Sequence, residues 1–168
     1  MHSCNFYFSF LSQIKSTWQI NRTLRTLIGL ICSRLTLSQL LSLLPCLKHL
    51  HIDLIANDSS NWNRNLFEIN LQTLRIGFSQ FHFDDLEILI GNELTRLHID
   101  FNDEQLTMNF RLLGDLLTLF APNLRRFYCD YRGQQISLEN IRYEHNLFRN
   151  IEFIRTHSND FVQLKLSI

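Results

Sequence analysis

The residues best suited to chemistry in this sequence stand in the stretch HLHID, where His49, His51 and Asp53 are two positions apart. Residues two apart on a β-strand point to the same face, so a strand here would present all three side chains together. Imidazole nitrogen and carboxylate oxygen atoms are ligands that Zn²⁺ takes in proteins. The pattern therefore raises the hypothesis of a metal site, with metal-assisted hydrolysis as its reaction.

The residues around this stretch argue against a metal. HLHID is similar to the opening of the metallo-β-lactamase motif H-x-H-x-D-H, but Leu54 stands where that motif has its third histidine. A second copy of the letters LHID contains His98. If the copies stack as strands about 4.8 Å apart, His51 and His98 lie roughly 10 Å apart with Arg75 between them. A fixed cation opposes a second cation, so we predict no metal site and no cofactor.

Nucleophilic catalysis has no motif to support it. The sequence contains no G-x-S-x-G elbow and no P-loop, and its five glycines leave little material for a phosphate-binding loop. Cys46 and Cys129 are better explained as small core residues than as nucleophiles. We predict that the protein is not an enzyme.

The elements that position these residues follow from a repeat. The heptad LKHLHID starts at Leu47, returns as LTRLHID at Leu94, and returns more loosely as LRRFYCD at Leu124. Its frame, L-x-x-L-x-[IL], also fits LQTLRI at Leu71 and FVQLKL at Phe161. Starts at 47, 71 and 94 lie 24 and 23 residues apart, inside the roughly 20–29 residues of a leucine-rich repeat. An earlier copy stands near LRTLIGL, where Gly29 occupies the third apolar place.

Segments with helical spacing separate the frames and end at Pro45, Gly91 and Pro122. Parallel strands need crossovers of about a dozen residues, which these segments supply. We therefore predict parallel strands in register, with the frame at Phe161 stacked in the same direction. The helical residues expected to face the core are Leu37, Leu40, Leu41, Leu44, Leu86, Leu89, Ile90, Leu112, Leu113, Leu116, Leu117 and Phe120.

The repeat frame, the helix-to-strand joins LLPCLKHL and FAPNLRRF, and the irregular repeat lengths resemble leucine-rich repeats of the F-box-associated type. The resemblance covers roughly residues 20–130 and again 161–168. It implies an α/β solenoid with parallel strands on the concave side and helices on the convex side. In that family an F-box docks on the Skp1 adaptor of a ubiquitin ligase, and the repeats hold the substrate. This chain contains no F-box pattern, so a Skp1-type adaptor is expected only if an F-box lies outside it. The alternative is a repeat scaffold unrelated to ubiquitin.

The polar positions of each frame would project from the concave side, where such solenoids bind their partners. Tyr and Arg are residue types often found as interface anchors. The alternative is a solvated strand face without a partner. We predict a protein-binding face made by His49, His51, Asp53, Arg75, Arg96, His98, Asp100, Arg126, Tyr128 and Asp130.

Like charges would meet on this face. If the strands that follow Leu94 and Leu124 are neighbours, Asp100 stands beside Asp130 and Arg96 beside Arg126. Like charges directly paired on a sheet are unfavourable. We therefore expect each pair to gain from a partner with the opposite charge. In the parallel arrangement the last frame extends the rows. Gln163 would then lie beside Arg126, Lys165 beside Tyr128 and Ser167 beside Asp130.

Composition limits the class of partner. Lys plus Arg and Asp plus Glu number 16 each, so the formal net charge is zero. Binders of duplex nucleic acid usually carry a basic excess, and a polybasic membrane anchor needs one too. No apolar run approaches the roughly 20 residues that cross a bilayer. The four cysteines form no C-x-x-C pair. We expect an intracellular protein, cytoplasmic or nuclear, that binds neither nucleic acid nor membranes.

The frame also divides the chain. Residues 1–20 fit no frame and form an N-terminal segment, and residues 21–168 form the repeat domain. NDSSNWNRN at 57–65 is typical of a loop, in which Trp62 is either an anchor or, as the alternative, a contact for a partner. The chain stops at Ile168, within or just after the last frame and without a capping repeat, so we expect a fragment of a longer solenoid or, as the alternative, an end covered by another chain. In the long interval before that frame, one extended helix is predicted by Ile141, Phe148, Ile151 and Ile154.

Overall fold

The computed structural model describes residues 3–15, 17–55, 70–79, 82–101, 108–132, 137–155 and 161–167, and these form a mixed α/β fold with a largely parallel sheet. Eight strands of the described residues lie in the order β1-β2-β3-β4-β5-β6-β8-β7. The strands are β1 (Ser3–Leu11), β2 (Thr26–Cys32), β3 (His49–Leu54), β4 (Thr73–Phe78), β5 (Arg96–Phe101), β6 (Arg126–Arg132), β7 (Glu152–Arg155) and β8 (Phe161–Ser167). The helices are α1 (Arg34–Leu43), α2 (Phe83–Leu89), α3 (Phe110–Phe120) and α4 (Leu138–Glu144).

The repeated heptads lie on neighbouring strands. β3, β4, β5 and β6 are parallel, and the second apolar position of each frame pairs with its counterpart: Leu50 with Leu74, Leu74 with Leu97, and Leu97 with Phe127. The prediction that the copies are adjacent strands in register is confirmed. The segment 57–65 and Trp62, predicted as a loop and its anchor, lie outside the described residues, as does Ile168.

The backbone hydrogen bonds at the start of each strand repeat with the sequence frame. The carbonyl of Lys48 accepts hydrogen bonds from the N–H groups of Gln72 (2.8 Å) and Thr73 (3.1 Å) at the start of the next strand. The carbonyls of Arg25, Gln72 and Thr95 each accept the same two bonds from the strand that follows. Each strand therefore starts at the same offset from its neighbour, and the side chains of successive frames align.

The core lies on one side of the sheet. Leu50, Ile52 and Leu54 alternate along β3 with half-buried polar residues, and the same alternation runs through β5. Leu37 of α1 and Leu113 of α3 are buried in the same cluster, so the helices cover the apolar side. Burying each such leucine contributes roughly 1.5–3 kcal/mol. On the opposite side, β3 to β6 carry mainly polar residues, whereas β2 places the exposed Ile28 beside His51.

The helices match their predicted core residues with one exception. Leu112 is 44% exposed, and the prediction that it faces the core is wrong. Helix α3 begins at Phe110, which is buried, and its inward stripe continues through Leu113, Leu116 and Leu117. Leu112 lies beside that stripe rather than on it.

No helix of the described residues is long and apolar enough to cross a membrane.

Strand β2 contains a bulge. Its register against β3 shifts between Ile28 and Leu30, so that Leu30 pairs with Ile52. Gly29 has a φ of 78°, a conformation that favours glycine. The extra residue brings Leu30, rather than Gly29, into the third apolar place of the frame. Beyond β2, strand β1 adds a parallel strand from the N-terminal segment, for which the frame predicts no element.

The extended helix predicted up to Ile154 is absent. Helix α4 ends at Glu144, and His145 is extended, with Nδ1 accepting a hydrogen bond from the Leu147 N–H at 3.1 Å. A single helical turn, Asn146–Phe148, then buries Phe148. Ile154 lies on β7, opposite Gln163. The chain therefore leaves the helix at His145, whose side chain caps the turn that follows.

Strand β8, which contains the last frame, runs in the opposite direction to the one predicted. It pairs antiparallel with both β6 and β7, so the prediction of a further parallel strand is wrong. Only residues 156–160 separate β7 from β8, and a parallel neighbour needs a crossover of about a dozen residues. Leu164 and Leu166 still face the core because a strand alternates in either direction.

A buried ion pair joins α1 to α2. The guanidinium of Arg34 donates from Nε to Oδ1 of Asp85 and from Nη2 to Oδ2, each at 2.7 Å. The side chains of Arg34 and Asp85 are 11% and 2% exposed. Two parallel bonds of this kind fix the relative orientation of both groups. The contact links two residues that are 51 positions apart in sequence.

Candidate protein-binding face

All ten residues predicted for the binding face lie on the polar side of the sheet, which we call the polar face. The in-register strands β3, β4, β5, β6 and β8 arrange them in three rows. The first row contains His49, Thr73, Arg96, Arg126 and Ser167. The middle row contains His51, Arg75, His98, Tyr128 and Lys165. The last row contains Asp53, Gly77, Asp100, Asp130 and Gln163.

A hydrogen-bonded network joins the middle and last rows. His98 on β5 contacts Asp130 on β6, with 2.7 Å between Nε2 and Oδ2. The other oxygen of Asp130 accepts a hydrogen bond from the Gln163 side-chain amide on β8. The rings of His98 and Tyr128 lie 5.8 Å apart and tilted. Three strands are therefore tied together by side chains on the polar face itself.

The network controls the ionisation of Asp130. Its side chain is 17% exposed, and burial alone would raise its pKa. Hydrogen bonds from His98 and Gln163, with the charges of His98 and Arg75, outweigh burial and bring the pKa of Asp130 below its ordinary value. The carboxylate is therefore charged and internally bonded.

His51 is held in its neutral form. Burial is the largest cause that lowers its pKa, and the positive charge of Arg75 beside it acts in the same direction. His98 adds to the lowering, whereas Asp53 opposes it. A neutral imidazole on this face can donate and accept hydrogen bonds without adding charge.

Gly77 leaves room for a carboxylate. A Cβ atom at this position would overlap Oδ1 of Asp53, which lies on the neighbouring strand. The side chain of Asp53 therefore leans across β4 towards the rest of the last row. Glycine here serves a close side-chain approach rather than an unusual backbone angle.

Three arginines contribute the exposed charge of the polar face. Arg96 and Arg126 pair in register across β5 and β6, and Arg75 lies one row further along β4. All three are exposed. The charges predicted to be neighbours, Arg96 with Arg126 and Asp100 with Asp130, are neighbours. Like charges directly opposite each other on neighbouring strands are unfavourable.

One of the two expectations drawn from these like charges needs correction. Asp130 does not need a cation from a partner, because His98 and Gln163 already form hydrogen bonds with its two carboxylate oxygens. The arginine pair differs, because neither Arg96 nor Arg126 forms an ion pair with any residue that the structure describes.

The geometry offers little for metal or nucleophilic chemistry. Successive members of the set His49, His51 and Asp53 are about 6.6 Å apart along the strand. Among the described residues, no group of three or more His, Cys, Asp or Glu side chains is placed to hold a metal. Burial, then the charge of Asp53, raises the pKa of Cys32 to about 12, and burial raises that of Cys129 as well. Neither thiol is placed to act as a thiolate.

Sequence reasoning located the members of the polar face but missed the bonds among them. The parallel register predicted for the last frame put Gln163 beside Arg126, whereas the antiparallel strand puts it beside Asp130. The spacer of residues 156–160 indicates a reversal only once β7 is known to end at Arg155, and the apolar spacing up to Ile154 predicted a helix there instead. Nothing in the spacing of Arg34 and Asp85 indicated the ion pair that they form.

The polar face thus combines charged, hydrogen-bonding and aromatic side chains on one side of a sheet whose other side is covered by helices. No protein-family model, no curated protein and no solved structure matches the chain.

Proposed function

We propose that this chain is a leucine-rich-repeat solenoid that binds a protein partner through its polar face and catalyses no reaction. The observation that carries the proposal is the register of the strands. Frames 23–30 residues apart in sequence stand side by side, so their polar residues form continuous rows. Repeat solenoids use such extended surfaces for recognition.

The composition of the polar face supports protein recognition. It combines Tyr128 and three exposed arginines with half-buried histidines, and aromatic residues and arginine are enriched at protein interfaces. His98 and Asp130 form a dyad that could orient a general base, but no hydroxyl or thiol group of the described residues is hydrogen-bonded to His98. A binding surface explains these residues better than a hydrolytic site.

We further propose that the chain serves a ubiquitin ligase as its substrate-binding part. The support is the resemblance of its frame and helix-to-strand joins to F-box-associated repeats. A scaffold unrelated to ubiquitin is the competing role for the same face. Co-purification of a Skp1-type adaptor with the full-length gene product favours the ligase role, and an intact gene without an F-box rules it out.

Selection from a library of natural protein segments displayed on phage tests the binding function. One bait is the wild-type chain, and a second carries His49→Ala, Arg75→Ala and Tyr128→Ala on the polar face. A control bait carries Leu119→Ala and Tyr143→Ala, which change exposed side chains of α3 and α4. We expect segments that the wild type and the control retain and the polar-face variant loses. Equal recovery on all three baits, or no recovery on any, contradicts the proposal.

A further inference from the structure

The polar face carries its charges in separate rows. Arg96 and Arg126 are register partners in the first row, and Arg75 and Lys165 lie in the middle row. The carboxylates of Asp53, Asp100 and Asp130 all lie in the last row. Two residues along a strand span about 6.6 Å, so a positive band and a negative band run side by side across the strands.

Among the described residues the arginines of the positive band form no ion pairs, although the charge of Arg75 helps to lower the pKa of Asp130. Arg75, Arg96 and Arg126 are exposed. Arg96 and Arg126 repel each other across one strand spacing. Asp130, in contrast, is bound by His98 and Gln163. An external group that relieves the repulsion must therefore bring negative charge to the arginines.

We infer that the polar face recognises an acidic segment of a protein, whose Asp or Glu side chains bind Arg75, Arg96 and Arg126. This inference rests on the proposed protein-binding function and names the chemistry of the partner. β4 and β8 are three strand spacings apart, about 14 Å, which an extended segment of about five residues spans. Alternate side chains of that segment point to the same side and reach the positive band, with Lys165 at its end.

The negative band makes a protein segment a better fit than a nucleic acid. A phosphodiester chain carries charge along its whole length and would meet the repulsion of Asp53 and Asp100. A short acidic stretch flanked by neutral or basic residues satisfies both bands. The chain as a whole has no basic excess with which to hold a polyanion.

Fluorescence anisotropy with three labelled probes tests the inference: decaglutamate, decaglutamine and a ten-residue oligothymidylate. We expect decaglutamate to bind most tightly and to weaken as salt rises from 50 to 300 mM, because exposed charges are screened. The double variant Arg96→Gln/Arg126→Gln should bind decaglutamate at least about tenfold more weakly.

The matched control is Arg111→Gln/Arg149→Gln, which removes two exposed arginines from the helix side of the molecule. It should bind decaglutamate like the wild type. Urea unfolding should show that the Arg96/Arg126 variant is at least as stable as the wild type, since the change removes a repulsion. Equal weakening in both double variants overturns the inference, as does oligothymidylate or decaglutamine binding as tightly as decaglutamate.

The inference and the proposed function fail in different ways. If displayed segments depend on the polar face but carry no acidic residues, protein binding stands and acidic recognition is wrong. If no segment depends on the polar face, the binding function itself is wrong.

Discussion

At the scale of single residues, Asp130 is the side chain on which the internal order of the polar face depends. We predict that Asp130→Ala lowers the free energy of unfolding by about 1–3 kcal/mol, because His98 and Gln163 lose their common acceptor in a site that is largely shielded from water. Urea unfolding followed by circular dichroism measures the change.

Asp115 provides the control for that loss. Its side chain is 63% exposed and lies 3.4 Å from His145. An exposed pair of this kind contributes little, so Asp115→Ala should change stability by less than about 0.5 kcal/mol. An equal loss in both variants would show that Asp130 has no special place in the network.

His51 should make stability depend on pH. Its pKa is lowered in the folded chain, chiefly by burial and then by Arg75, so the unfolded chain binds a proton more readily. The stability that depends on neutral His51 is fully present above the ordinary pKa of about 6.5. It is lost as the pH falls from there through the lowered pKa that His51 has in the folded chain. We predict a lower urea midpoint at pH 5 than at pH 7.5.

The variant His51→Gln isolates this contribution from that of the other histidines. It keeps a polar side chain but cannot titrate, so its urea midpoint should fall less than that of the wild type between pH 7.5 and pH 5. A fall of the same size in both proteins contradicts the assignment.

At the scale of elements, Gly114 shows how α3 meets the segment after α4. A methyl group at Gly114 would lie 2.7 Å from Cβ of His145 and overlap its ring. Alanine normally stabilises a helix relative to glycine by roughly 0.8–1.0 kcal/mol. We predict the opposite sign here, a loss of about 1–3 kcal/mol in thermal or urea unfolding, because the packed elements must separate.

A double variant tests the cause of that loss. In a His145→Ala background the obstacle is gone, so Gly114→Ala should become neutral or stabilising. If Gly114→Ala still destabilises that background, the close contact with His145 is not the reason.

The ion pair between α1 and α2 should be costly to break. Asp85→Asn leaves the Arg34 guanidinium without its carboxylate in a buried site, and we predict a loss of about 3 kcal/mol in urea unfolding. The neighbouring Asp84 is exposed in the first turn of α2, so Asp84→Asn should cost at most about 1 kcal/mol. A cost for Asp85→Asn no greater than that for Asp84→Asn would contradict the prediction.

Elements were predictable where one local pattern repeats. The L-x-x-L-x-[IL] frame encodes an alternating strand and its spacing, so the parallel order of β3 to β6 followed from the sequence. The direction of β8 did not, because an alternating strand such as FVQLKL has the same pattern in both directions. The end of α4 depended on His145 leaving the helix, which apolar spacing does not reveal.

At the scale of the whole molecule, the two sides of the sheet have different roles. The apolar side, covered by helices, holds the fold together, and the polar face is held by the same register without being covered by any described element. The members of the polar face were predictable because strand alternation fixes them. The bond from Gln163 to Asp130 was not, because it requires the tertiary position of β8.

Chemical-shift mapping of a bound segment tests the central claim most directly. The isotopically labelled protein is titrated with a segment that the wild-type bait retains, and side-chain signals are followed. We predict shifts in the imidazole and guanidinium signals of His51, His98 and Arg75 on the polar face, with those of His145 and Arg111 on the helix side unchanged. Shifts confined to His145 and Arg111 would contradict the account.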